Sequence, residues 1–381
     1  MLEMKWRRGG GKVAGACLVL ALVASLILPA VAYAAQPDSR PGDSGIKIVK
    51  KSAFTDGGQK GQRRIPDGGH QFARITGRLG ALSAGQKSYA IVIGSNYIGS
   101  AVADGQIPLV PPFSMELEYA EADAQAMAGL LGAYGFDEVI ALVGDSASRS
   151  NILDAIKHVR QVAEDDDQVV FFYSGHGASV GHSSPSASQH ADAASSAAAV
   201  HQGIVSDQGD GKNVDFLWDA QLAKEFRDFR TDRIVFVFDA CLMGGMTELM
   251  GKGRIVLMAT TSTGIAVEVG IAPDGTVVNH GLFTFGLLAA LSGLVPEADA
   301  YDHLPGVPDV TVEEAYNFAS FSLIQMTPLI QGALAFYYGE EIAALWATPV
   351  VLDLFPADML LQALPEQVEE KSKKTPAFHG K

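Results

Sequence analysis

Short apolar, β-branched runs separated by longer amphipathic stretches recur along this chain, and that alternation restricts its fold more than any other feature. "YAIVIG" (Tyr89–Gly94), "DEVIALVG", "QVVFFYSGHG", "DRIVFVFDAC" and "GRIVLMATT" each read as a buried strand. Between them, the segment from about Met115, stopped by Gly132 and Gly135, reads as a helix. So does "SASRSNILDAIKHVRQVAEDDD", with Ile152, Ile156 and Val159 on one face, and so does "WDAQLAKEFRDF". "GLFTFGLLAALSG" and "TVEEAYNFASFSLI" add two more helices, and "GALAFYYG" is expected to be a last strand. Strands alternating with helices predict an α/β fold: a mainly parallel central sheet of about six strands, flanked by helices on both faces.

The N-terminus reads as an export signal. Lys5, Arg7, Arg8 and Lys12 precede an apolar Val13–Leu28 run, and Ala32 and Ala34 form a small-residue cleavage pattern. Residues 1–34 are assigned to it, which places the mature protein in the periplasm or outside the cell. The alternative is an uncleaved N-terminal membrane anchor, the chain's sole expected contact with a membrane. Residues 35–87 form a basic, Gly-rich segment read as a pro-region. Residues 88–340 form the α/β domain, with a Ser/Ala/His-rich loop at 178–203, and 341–381 a C-terminal extension. A net charge of −15 argues against a nucleic-acid partner. Cys17 lies within the signal, so Cys241 is the one cysteine of the mature chain. No spacing of His182, His190 and His201 suggests a metal site, and the loop is read as solvated.

Two of the strands stop at reactive side chains. His176 follows "VVFFYSG" and Cys241 follows "IVFVFDA". In an open parallel sheet, residues just past the carboxyl ends of neighbouring strands line one crevice. An imidazole there can take a thiol's proton, and the backbone N–H groups of Gly177 and Cys241 are candidates for an oxyanion hole. This constellation fits acyl transfer from a peptide bond. A nucleotide-binding domain fits less well, since "VIGSNYIGSAVADG" lacks the glycine and lysine pattern of a phosphate loop.

"FFYSGHG" followed by "FVFDAC" resembles the catalytic pair of the caspase-like cysteine peptidases, the group that includes caspases, metacaspases, paracaspases, gingipains and legumain. "AIVIGSNY", "YAEADAQAMAGLLGAYGF", "GLFTFGLLAAL" and "VTVEEAYNFA" resemble further segments in the family's order, nearest to bacterial metacaspase-like members. The resemblance implies the caspase-hemoglobinase fold and a cysteine endopeptidase that acts on a polypeptide substrate with His176 as base and Cys241 as nucleophile. It implies no required cofactor. Asp123 and Asp239 match acidic positions that would hold a substrate Arg or Lys, so cleavage is expected after a basic residue. Arg64, Lys252 and Arg254 are then candidate self-processing sites. Asp207 and Asp210 are candidate ligands for calcium as an activator. Two departures stand out: Leu242-Met243 after the cysteine, where relatives carry polar and small residues, and Ala122 before Asp123. The alternative reading is an inactive caspase-fold scaffold or regulatory binding module.

Overall fold

Six strands form the central sheet of the computed structural model, which describes residues 48–50, 53–55, 69–96, 117–181, 200–207, 214–271, 277–293, 295–301, 303–304 and 309–362. In chain order the main elements are β1 (Ser88–Gly94), α1 (Ala120–Ala133), β2 (Glu138–Val143), α2 (Arg149–Val162), β3 (Gln168–Ser174), β4 (Gly177–Gly181), β5 (Val200–Asp207) and β6 (Val214–Trp218). They continue with α3 (Asp219–Arg227), β7 (Ile234–Asp239), β8 (Arg254–Met258), β9 (Val267–Ile271), β10 (Val277–Gly281), α4 (Leu282–Leu291), α5 (Val312–Tyr338) and β11 (Val350–Asp353).

The central sheet runs β11-β8-β7-β3-β1-β2, parallel throughout except for β11, which is antiparallel to β8. The expected α/β architecture is therefore present. Three of its four inner strands, β1, β3 and β7, are buried along their whole length, as expected of strands covered on both faces. Alternation along β3 divides the core. Val170 and Phe172 pack with α1, α4 and α5, whereas Val169, Phe171 and Tyr173 pack with α2 and α3. Each such fully buried aromatic contributes about 2–3 kcal/mol of transfer free energy.

Among the described residues three smaller sheets accompany the large one, one of them the short parallel pair of Leu79–Gly80 with Asp358–Met359. β4, β5 and β6 form an antiparallel set with Ala53–Thr55 at its edge, and β9 and β10 pair with Ile48–Lys50. The Ser/Ala/His-rich stretch read as a loop therefore enters on β4 and leaves on β5, which are paired with each other.

The segment "GALAFYYG" is not a strand. It continues α5, whose buried Leu323, Ile330 and Leu334 recur at helical rather than alternating spacing. The helix begins on a capping box, with Thr311 N donating to Glu314 Oε2 at 3.0 Å and Glu314 N donating to Thr311 Oγ1 at 3.4 Å. The remaining central strand is instead Val350–Asp353. All ten residues of α4 are buried, between the sheet and α5. Gly286 permits this closeness, since a β-carbon there would lie 2.8 Å from Ala319 Cβ.

Candidate functional site

The sheet register brings the two strand ends together. Ser174 of β3 lies opposite Asp239 of β7, so His176 and Cys241 each follow a matched pair at the same distance along the chain. Gly177, which opens β4, packs against the Cys241 carbonyl. Leu242 then adopts φ +65°, a left-handed conformation that costs a branched residue about 1–2 kcal/mol, and its N–H donates to Gly264 O at 3.0 Å. The crevice anticipated from the sequence is thus tightly packed rather than open.

That packing corrects the enzymatic expectation. Cys241 is 0% exposed, and its Sγ accepts from Ala266 N at 3.3 Å and faces Ala266 O at 3.8 Å. His176 is 1% exposed. A nucleophile must reach a carbonyl carbon at roughly 3–3.5 Å, and a thiol without accessible surface presents no such approach. A Cys–His catalytic dyad is not evident among the described residues. The one cluster among them able to gather around a metal, His201, Asp219 and Glu248, includes neither His176 nor Cys241. The cysteine-endopeptidase reading is overturned.

Asp123 and Asp239 do converge, on the turn between β10 and α4. Asp123 Oδ2 accepts from Ser174 Oγ at 2.6 Å, and its Oδ1 meets His280 Nδ1 at 2.9 Å and Gly281 N at 3.0 Å. Asp239 Oδ2 accepts from Thr284 N at 2.9 Å and from Thr284 Oγ1 at 2.6 Å. A β-carbon at Gly281 would lie 2.3 Å from Asp239 Oδ2 and 2.9 Å from Asp123 Oδ2, so only glycine fits between the two carboxylates. Both aspartates are 0% exposed. Asp239 caps the first turn of α4, where a negative charge is favoured by the helix dipole. A basic side chain approaching this pair would have to displace these bonds. Ser174, His280, Gly281 and Thr284 were not legible as members of the network, because Ser174 and the β10–α4 turn lie more than a hundred residues apart in the chain and meet the aspartates only in the fold.

The other expected positions scatter. Arg254 opens β8 and is held by Leu249 O at 3.3 Å and Phe226 O at 2.7 Å, with burial lowering its guanidinium pKa. Its following peptide bond lies inside the central sheet. Lys252 is exposed in the turn before β8. Arg64 and Asp210 lie outside the described residues, as do the signal and Cys17. Asp207 ends β5, and its side chain is likewise outside the description.

A mostly parallel sheet that carries a histidine and a cysteine past the ends of adjacent strands defines a caspase-type α/β domain. Residues 87–310 match the caspase domain family, and the chain belongs to it. Metacaspase-1 of Lodderomyces elongisporus is 30% identical across 32% of this chain and 29% of its own length, so the chain spans less than a third of that relative. The crystal structure of a Geobacter sulfurreducens protein is also similar, with 18% identity and a TM-score of 0.38, over 54% of this chain and 82% of that one.

Proposed function

We propose that this chain is a caspase-fold binding module that engages a polypeptide partner without cleaving it. The observation that carries the reading is the fully buried Cys241 thiol, held against the Ala266 backbone. A fold that keeps its strand ends but closes the crevice over them retains a rigid scaffold and loses the access that turnover needs. The binding half of the proposal draws support from α5. Its residues 315–338 carry no charged side chain, and Phe321, Leu329, Phe336 and Tyr337 are exposed along it. Exposed apolar side chains grouped on one element favour interaction over solvation. Within the family we place the chain nearest the metacaspase-like members, which the identity to Metacaspase-1 supports. Export through the N-terminal signal is the compartment we propose for it.

The test is to incubate the purified chain with fluorogenic peptides ending in Arg, Lys, Asp or Asn, and with iodoacetamide in parallel. The expected result is no turnover that depends on Cys241, and a thiol that is alkylated only after denaturation. Peptide hydrolysis that disappears in Cys241→Ala would overturn the proposal.

A further inference from the structure

Three residues from three separate segments meet beside the small β4-β5-β6 sheet. His201 lies on β5, Asp219 is the first residue of α3, and Glu248 lies in the Met243–Leu249 turn that follows Cys241. One ligand atom from each lies within 4.8 Å of the others. We propose that His201, Asp219 and Glu248 form a site for a borderline divalent cation of the zinc type, which fastens the segment after Cys241 to the small sheet.

The donor set selects the metal. Calcium and magnesium take oxygen ligands, six to eight of them for calcium, and have little use for an imidazole. Zinc accepts imidazole and carboxylate together at about 2.0–2.2 Å, usually in tetrahedral geometry that three protein ligands and a water complete. Imidazole among the ligands is what separates zinc and its first-row neighbours from the hard cations. This cluster therefore differs in kind from the all-oxygen calcium ligands anticipated at Asp207 and Asp210.

Two of the three ligands are already fixed. His201 and Asp219 are each 2% exposed, with His201 Nδ1 at 3.2 Å from Asp219 Oδ1. Ala220 N donates to Asp219 Oδ1 at 2.8 Å and Gln202 N donates to Asp219 Oδ2 at 3.3 Å, which orient the carboxylate. Glu248 is exposed, so it forms the solvent-facing side and can close on an entering ion. The charges are arranged to receive a cation. A bound divalent ion relieves the repulsion between the Asp219 and Glu248 carboxylates.

The experiment uses the untagged full chain, first stripped with a chelator. Zinc uptake is measured by equilibrium dialysis, and the unfolding temperature is followed with zinc or with calcium. The expected result is saturable, stoichiometric zinc uptake that raises the unfolding temperature, with no such shift in calcium. Glu248→Gln should weaken zinc binding roughly tenfold or more, and His201→Gln should abolish it. Because Glu248 is exposed, Glu248→Gln keeps its fold and decides the matter if His201→Gln does not. Absent uptake, unchanged affinity in Glu248→Gln, or calcium binding as tightly as zinc would each overturn the proposal.

Discussion

Gly177 and Cys241 pack so closely that a β-carbon at position 177 would lie 1.8 Å from the Cys241 carbonyl oxygen. The nearest obstacle is backbone, which cannot swing aside, and Met243 Cε comes next at 2.8 Å. The same contact closes the crevice at the strand ends and fixes the peptide that carries the thiol. Gly177→Ala is expected to destabilise the chain by about 3 kcal/mol or more, at the upper end for overpacking. A urea unfolding curve with an unchanged midpoint would show that the two segments separate easily.

Cys241 acts in this structure as a small buried residue. Cys241→Ala is expected to cost only about 1–2 kcal/mol, the loss of one buried polarisable atom and its contacts with Ala266. Any binding to a partner should survive the change. Thermal unfolding and a pull-down compared between the two proteins check both halves, and loss of binding in a folded Cys241→Ala would assign the thiol a role that burial denies it.

Asp239 is expected to matter more than Cys241. Its Oδ2 accepts two hydrogen bonds from Thr284 at the first turn of α4. Asp239→Ala leaves the N–H and hydroxyl of Thr284 without that acceptor and removes the cap, at about 2–3 kcal/mol. Circular dichroism melting is the measurement. A loss below 0.5 kcal/mol, by rough analogy with surface changes, would mean that other groups cap α4.

Stability is expected to fall as pH rises from about 4.5 to about 8. Burial, with Asp353 and Asp358 adding repulsion, pushes the Glu313 carboxyl up from 4.5 to about 8, and Asp353 is pushed up to about 6. Arg233, the nearby cation, carries a lowered pKa of about 10 and stays charged across this range. A carboxyl whose folded pKa is raised binds its proton more tightly in the native state. Its contribution is complete below the unfolded value and is lost as pH climbs through the folded one. The window is worth on the order of a few kcal/mol at about 1.4 kcal/mol per pH unit. Asp358, whose pKa is lowered through its bonds to His303 and Thr76, works the opposite way and weakens the fold only in strong acid. Glu313→Gln should flatten the decline between pH 5 and 8, as read from unfolding midpoints. An equally steep decline in the variant would place its origin elsewhere.

Phe336 and Tyr337 are 76% and 50% exposed near the end of α5. The double change Phe336→Ser, Tyr337→Ser is expected to move stability by no more than about 0.5 kcal/mol, as at other surface positions. It should reduce binding of a hydrophobic dye and any association through this helix. A large drop in unfolding temperature would instead assign these rings to the fold.

The central sheet was legible in the chain because burial on both faces writes itself into consecutive apolar residues. Each of β1, β2, β3, β7 and β8 follows a run identifiable from the sequence. "GALAFYYG" misled because a short apolar run fits either a strand or the end of a helix. Only the packing of Ile330 and Leu334 with the core made it part of α5. The placement of His176 and Cys241 after neighbouring strands was readable too, and the register of β3 against β7 agrees with it.

What local pattern could not state was whether that crevice is open. Access to Cys241 depends on Gly177 and Ala266, brought to it from other segments, and on the left-handed turn at Leu242, none of which leaves a periodic trace. His201 shows the same division. Its stretch reads as a polar loop, yet pairing with β4 and β6 carries it into the interior beside Asp219 and Glu248. By itself the sequence determined the layers and the strand-end residues, since hydrophobic periodicity is local. The tertiary structure alone decided which side chains meet and which reach solvent, because close packing and the convergence of distant segments are properties of the assembled core.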